Sequence, residues 1–147
     1  MLQNRVLSFF LMLMLSAAAV HADTSVQRFG DHEVHYSVFN TSFLTPQVAS
    51  AYDIVRSGRK ALMNIAVLKR QNDGSLVNVA ARVSGDQFDL IRREPLTFRE
   101  VREQHAIYYL ASFDIQHMIT IYFTVNVEVE GQQPFKVQFN KMLYNDE

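Results

Sequence analysis

The densest group of side chains able to do chemistry is Asp31-His32-Glu33-Val34-His35. Successive residues of a strand point to opposite faces, so Glu33 and His35 share one face and His32 takes the other. A carboxylate and an imidazole two residues apart can hold two positions of a zinc or copper ion, which needs a third ligand and commonly a fourth. His105 and His117 are available for that, but spacing alone does not bring them near. Metal binding through Glu33 and His35 therefore stands as the alternative to a solvated strand face. Arg56, Arg59 and Lys60 form a basic cluster that could bind an anion. It also falls just past a helix, where cations offset the partial negative charge of the C-terminus, and capping is the reading preferred. Tyr108, Tyr109, Tyr122 and Phe113 could line a groove, yet aromatics at strand spacing commonly pack as core or cross-strand pairs. Asp114 and His117 flank a turn, which an Asp side chain stabilises by bonding nearby backbone. No HExxH, G-x-S-x-G or glycine-rich phosphate loop occurs in the chain. Nothing in the sequence points to nucleophilic catalysis or to a cofactor.

The elements that must carry these residues are mostly strands. From Met118 to Glu130 the sequence alternates, with Ile119, Ile121, Phe123, Val125, Val127 and Val129 on one side and Thr120, Tyr122, Thr124, Asn126, Glu128 and Glu130 on the other. After Gly131-Gln132-Gln133-Pro134 the pattern resumes, with Phe135, Val137, Phe139 and Leu143 sharing a parity. This predicts a long hairpin with one dry face, and a second sheet must cover that face. Glu33 to Phe39 alternates as a strand. Thr45 is a good N-cap and Pro46 suits the first helical position, so one short helix is expected over Phe43 to Val55, with Val48, Ala51, Tyr52 and Val55 on its packed face. Ala61 to Lys69 is apolar on both sides, the mark of a central strand covered twice. Asp73-Gly74 turns the chain into a returning strand, Val77 to Val83. Phe88 to Ile91 is a short strand, Leu96 to Glu103 a charged edge strand, and Ile107 to Phe113 an aromatic one. The expected fold is all-β, an antiparallel immunoglobulin-like β-sandwich of seven or eight strands with one short helix.

Residues 1–22 stand apart. Arg5 and the amino terminus are followed by a short apolar run, Val6 to Leu15, then Ser16-Ala17-Ala18-Ala19 and Val20-His21-Ala22. The run is shorter than the ~20 residues of a spanning helix, so it reads as a signal peptide cleaved after Ala22. The expected domain is then residues 23–147, periplasmic, with no membrane span. The chain has no cysteine, which suits a bacterial exported domain large enough to need no disulfide. With 14 basic and 15 acidic residues there is no excess of charge to attract nucleic acid.

Two blocks carry a resemblance. Val34-His35-Tyr36 leads to Phe39-Asn40-Thr41-Ser42-Phe43-Leu44-Thr45-Pro46, Val48-Ala49 and Tyr52, and Arg56-Ser57 leads to Ala61-Leu62-Met63-Asn64-Ile65. With Ala106-Ile107-Tyr108-Tyr109, they resemble the bacterial envelope family known as domain of unknown function 4426, over nearly all of residues 23–147. The resemblance implies an exported single domain and transfers no catalytic residue. The expected function is an exported periplasmic non-catalytic binding or accessory module. Its partner would be an envelope protein or a small ligand, and its possible recognition surface is Asn40, Ser42, Arg56 and Arg59. The alternative is a metal- or small-ligand-binding periplasmic protein that uses Glu33 and His35. The corner from Asn40 to Pro46 reads more readily as a constrained turn than as a recognition loop.

Overall fold

The structure, a computed structural model, describes residues 24–146. The signal-peptide expectation falls on residues 1–22, outside the described residues. Among the described residues ten strands form two antiparallel sheets packed face to face. The first sheet joins β1 (Ser25–Phe29), β2 (His32–Asn40), β3 (Lys60–Arg70), β8 (Ile107–Asp114) and β7 (Arg99–Arg102) in that order, with β4 (Leu76–Asn78) added to the end of β3. The second runs β10 (Phe135–Leu143), β9 (Ile119–Glu128), β5 (Arg82–Phe88) and β6 (Arg93–Leu96). A single helix, α1 (Pro46–Ala51), follows a 3-10 turn at Thr41–Phe43.

The predicted hairpin is present. β9 pairs with β10 in the register Val127 opposite Phe135 through Ile119 opposite Leu143. Ile121, Phe123, Val125, Val127, Val137 and Leu143 are buried in the main core. Lys141 has the same inward parity on the edge strand β10, and its Nζ donates to the Val38 carbonyl of the opposite sheet at 2.7 Å. An inward charge of this kind deters a second chain from pairing with the edge. Stacked Phe29 and Phe135, with Tyr36 and Phe139, close the same seam.

The all-β sandwich agrees with the expectation from sequence, but two expected strands are each divided. Val77 to Val83 is not one strand. β4 pairs with β3, and β5 then joins β9 in the other sheet. The chain crosses between sheets over 79–81, where the Ala81 amide donates to the Tyr109 hydroxyl at 2.7 Å. Likewise Leu96 to Glu103 separates into β6, paired with β5, and β7, paired with β8. Phe88 ends β5, and the stretch after it is a turn in which Leu90 has φ +74°.

The helix begins as its sequence requires. Thr45 Oγ1 accepts from the Val48 amide at 3.3 Å, and Pro46 occupies the first turn. It stops at Ala51, short of the expected Val55, because Asp53 takes a left-handed φ of +51°. The Asp53 amide donates to Ser50 O and the Ile54 amide to Ala49 O, at 3.4 and 2.8 Å. This is a Schellman ending with Asp where Gly is usual, and Ile54 makes its hydrophobic contact. A helix of six residues has no independent stability in water, so packing must hold it. Leu44, Val48, Ala49 and Tyr52 lie on the outer face of the first sheet, against Leu62. β3 is thereby covered on its outer side at Leu62, while the outward Ala66 and Leu68 farther along are half-buried.

Candidate functional site

The corner residues are placed by hydrogen bonds made within the chain. Asn40 is buried, and its Nδ2 donates to Tyr144 O at 2.7 Å and to Asp146 Oδ2 at 2.8 Å. Ser42 Oγ donates to the same carboxylate oxygen at 2.8 Å. Arg56 donates to Leu44 O at 2.6 Å and Ser42 O at 3.2 Å. The sequence-based expectation that it caps the helix C-terminus is corrected here, since these carbonyls precede the helix. The cation on the C-terminal carbonyl is Arg99, from β7, whose Nη2 donates to Tyr52 O. Its distance along the chain hid that role. Thr41 Oγ1 accepts from the Ser57 amide and donates to the Ser57 carbonyl. At Gly58 a Cβ would lie 1.5 Å from Asp146 O, so only glycine lets the terminal segment cross here. Arg59 lies in the same segment, exposed, and its carbonyl accepts from Ile115 N at 2.9 Å.

Glu33 and His35 share a face as expected, with His35 Nε2 hydrogen-bonded to Glu33 Oε2 at 2.9 Å. Glu33 is only 3% exposed. Arg70 and Arg28 donate to its other oxygen, Arg28 at 3.3 Å. The hydrogen bonds from His35 and Arg70 hold its carboxyl down at about 2, against an ordinary 4.5. His32 turns to the core, beside Phe135. Its Nδ1 is 2.7 Å from Asp31 Oδ1, close enough for an ion pair but outside hydrogen-bonding geometry. His105 precedes β8 and His117 follows it, and eight strand residues span about 26 Å. Among the described residues no three His, Cys, Asp or Glu side chains are grouped to hold a metal. Asp114 pairs with Lys60 Nζ at 2.7 Å rather than with its own turn. Tyr108, Tyr109 and Phe113 are buried, while Tyr122 is exposed on the second sheet.

The Glu33 cluster makes a testable prediction. A carboxylate whose folded pKa lies below its unfolded value adds stability that is fully present above the unfolded pKa and is lost as pH falls through the folded one. Between pH 4.5 and about 2 the wild-type protein should lose stability more steeply than Glu33→Gln. Urea midpoints measured across that window would check it, and parallel curves would show that Glu33 is not held as an anion.

The arrangement most suited to a ligand lies beside the helix. A cleft of about 300 Å³ is lined by Asp53, Ile54, Val55, Lys60, Leu62, Thr97, Arg99, Leu110 and Ser112. Strand register explains the assembly. Lys60 is opposite Asp114, Leu62 opposite Ser112, and Asn64 opposite Leu110, which in turn faces Arg99. These positions all project from the outer face of the first sheet. The Schellman ending carries Ile54 and Val55 over that face as a side wall. The corner bonds of Arg56 and Ser57 hold the segment that joins this wall to Lys60. Leu62 and Leu110 form a floor continuous with the second apolar cluster. Burial and the hydrogen bond to Glu103, at 2.5 Å, push the Tyr52 hydroxyl up, so it stays a neutral donor. The sequence signal for the cleft was faint. Ile54-Val55 is an apolar pair beyond the helix end, and Arg99 is a cation on a strand. A second depression of about 310 Å³, on the second sheet, includes Phe88, Arg93 and Tyr122. There Arg93 sits over Phe88 and is already paired with Asp86.

These features define an all-β sandwich with an amphipathic cleft between its outer sheet face and one short helix. The chain belongs to the family described as domain of unknown function, DUF4426, whose profile matches residues 26–146. It is similar to the crystal structure of a DUF4426 protein of Pseudomonas aeruginosa, with 43% identity and a TM-score of 0.73, over 84% of this chain and 97% of that one. FetP of uropathogenic Escherichia coli, recombinantly expressed in the periplasm, matches at TM-score 0.56 and 10% identity, over 84% of this chain and 95% of that one. A copper-bound FetP variant matches at TM-score 0.57 and 9% identity, over 84% and 92%. At such identities the FetP matches show a shared fold. No curated protein matches the chain in sequence.

Proposed function

We propose that this protein is an exported, non-catalytic binding module of the periplasm whose ligand occupies the helix-side cleft. The observation that carries the reading is the cleft itself. Its apolar floor extends a core cluster to the surface, and five polar side chains, Asp53, Lys60, Thr97, Arg99 and Ser112, surround it, so apolar and polar groups converge on one concave face as a small-molecule site requires. The immunoglobulin-like description is supported by the strand order, with β2-β3-β8-β7 and β6-β5-β9-β10 matching the two sheets of that fold plus one added strand. Periplasmic location is supported by the pattern of residues 1–22 and fits a fold relative expressed in that compartment. Among the described residues no helix is long and apolar enough to cross a membrane. Asn40, Ser42 and Arg56 spend their side-chain bonds inside the corner. We therefore assign them to holding the cleft wall, with Arg59 in the same segment, rather than to touching an envelope partner.

Two experiments test this. Mass spectrometry of the protein from its host should find Asp23 at the amino terminus, and an intact Met1 in the membrane fraction would refute export. Amide shift mapping with a fragment library should give its largest responses at 53–55, 62, 97–99 and 110–112. Saturable responses confined to other faces would remove the cleft.

A second reading is metal binding through Glu33 and His35. Their 2.9 Å contact favours it, as does the existence of a copper-bound structure of the same fold. A metal held by Glu33 Oε2 and His35 would have to break their hydrogen bond and sit near Arg28 and Arg70, cations on the other carboxylate oxygen that repel it. Copper or zinc that raises the melting temperature of wild type but not of His35→Ala would establish it. No shift in either protein would end it.

A further inference from the structure

We infer that the helix-side cleft takes a small amphiphilic anion, a short aliphatic chain ending in a single carboxylate. This rests on the cleft reading above and adds the charge and shape of the ligand. The volume of about 300 Å³ is at the bottom of the usual range for small-molecule sites, ~300–1,000 Å³. It admits one short chain and excludes a two-chain lipid. Leu62 is 4% exposed at the floor, whereas Val55 on the wall is 65% exposed. An alkyl chain laid between them would continue the second apolar cluster outward and cover Val55, which nothing else in the described residues covers.

The polar groups decide the head. Two cations reach the cleft from strands on either side of β8, Lys60 on β3 and Arg99 on β7. Arg99 spends one amino group on Tyr52 O, and its guanidinium carries five N–H donors in a planar fork that matches a carboxylate. Helix C-terminus and strand together thus hold it in place. Lys60 pairs with Asp114, whose side chain is 82% exposed. Such surface pairs contribute little and yield readily to a competing anion. The Thr97 and Ser112 hydroxyls make no hydrogen bond within the described residues and can serve the same head group. Asp53 is the one acid among the lining residues and stands at the wall, so cations outnumber it two to one.

The test is titration calorimetry and amide shift mapping on the protein as recovered from its host, with octanoate, 1-octanol and octylammonium as probes. Octanoate should bind saturably and shift Leu110 and Leu62. Octanol should bind roughly tenfold more weakly, and Lys60→Gln and Arg99→Gln should each weaken octanoate by a similar factor. Gln at position 99 can still donate to Tyr52 O, and unchanged melting of Lys60→Gln separates loss of charge from loss of fold. Asp53→Asn should tighten octanoate and weaken octylammonium. Octanoate affinity indifferent to both cation substitutions, or tighter binding of octylammonium, would overturn the anion while shifts at Leu110 keep the cleft. If none of the three probes shifts Leu110, the cleft reading falls too. Phosphatidylglycerol vesicles should fail to sediment the protein, and sedimentation that Arg99→Gln abolishes would overturn the free carboxylate in favour of a lipid head group.

Discussion

Replacing Phe123 with alanine should lower the unfolding free energy by about 3–5 kcal/mol, the range for emptying a buried aromatic site. Phe123 is 1% exposed in the middle of β9. Its ring stacks on Phe139 of β10 at 5.0 Å and meets Phe113 of the other sheet at 5.5 Å, so it joins both layers of the sandwich. Neighbouring backbone belongs to paired strands on either side and cannot collapse into the void, which puts the loss toward the upper end. Thr124 is the control. It faces outward, opposite Gln138 and Asp86, and its hydroxyl makes no hydrogen bond within the described residues. Thr124→Ala should change stability by no more than about 0.5 kcal/mol. Urea unfolding of the two variants would check both. Equal losses would mean that the faces of β9 are exchanged, because a slip of one residue turns every side chain over.

Gly85→Ala should also be strongly damaging, at roughly 1–3 kcal/mol for overpacking. Gly85 lies in β5, between Val125 of β9 and Leu96 of β6. A Cβ there would stand 2.4 Å from the Thr124 carbonyl oxygen and 3.2 Å from Val125 Cα. The atoms in the way are backbone of a paired strand, which can move only by opening the ladder. Ordinary φ makes this a steric requirement and not a left-handed one. The melting temperature should fall by about 4 °C or more. A variant that melts with wild type would show that β5 and β9 are more widely spaced than described. The sequence does not announce this position, since the Ser84-Gly85-Asp86 triplet has the composition of a turn.

That triplet illustrates why part of the fold was hidden. Ser84 to Asp86 has the composition of a turn between two strands, yet it lies inside β5. The true breaks, over 79–81 and at 97–98, carry no Gly or Pro. Val77, Val79, Ala81 and Val83 keep one parity straight through the first crossing. Leu96 and Phe98 do so through the second, because Val79, Ala81 and Val83, like Leu96 and Phe98, all pack on the same core, while Val77 keeps the parity but is exposed. Alternation reports which side is buried and is silent on which sheet a segment pairs with. The helix end escaped for another reason, that Asp53 fills a left-handed position where Gly would have been a signal.

What the sequence determined by itself is whatever depends on near neighbours. The β9–β10 hairpin, the Thr45-Pro46 helix start, the buried inner face of β3 and the shared face of Glu33 and His35 all follow from periods of two and 3.6 residues and from local capping. Family membership belongs with these, since it rests on contiguous blocks. Only the tertiary structure decided that Arg56 holds the corner while Arg99 caps the helix, that Glu33 is enclosed by arginines from β1 and β3, and that His105 and His117 stay apart. The cleft is of this second kind. Its lining comes from the loop after the helix, the crossing at 97–98 and three strands, brought to one face by register across β3, β8 and β7. Register is set by the packing of whole sheets, a free energy spread over many distant pairs, and no stretch of the chain contains it.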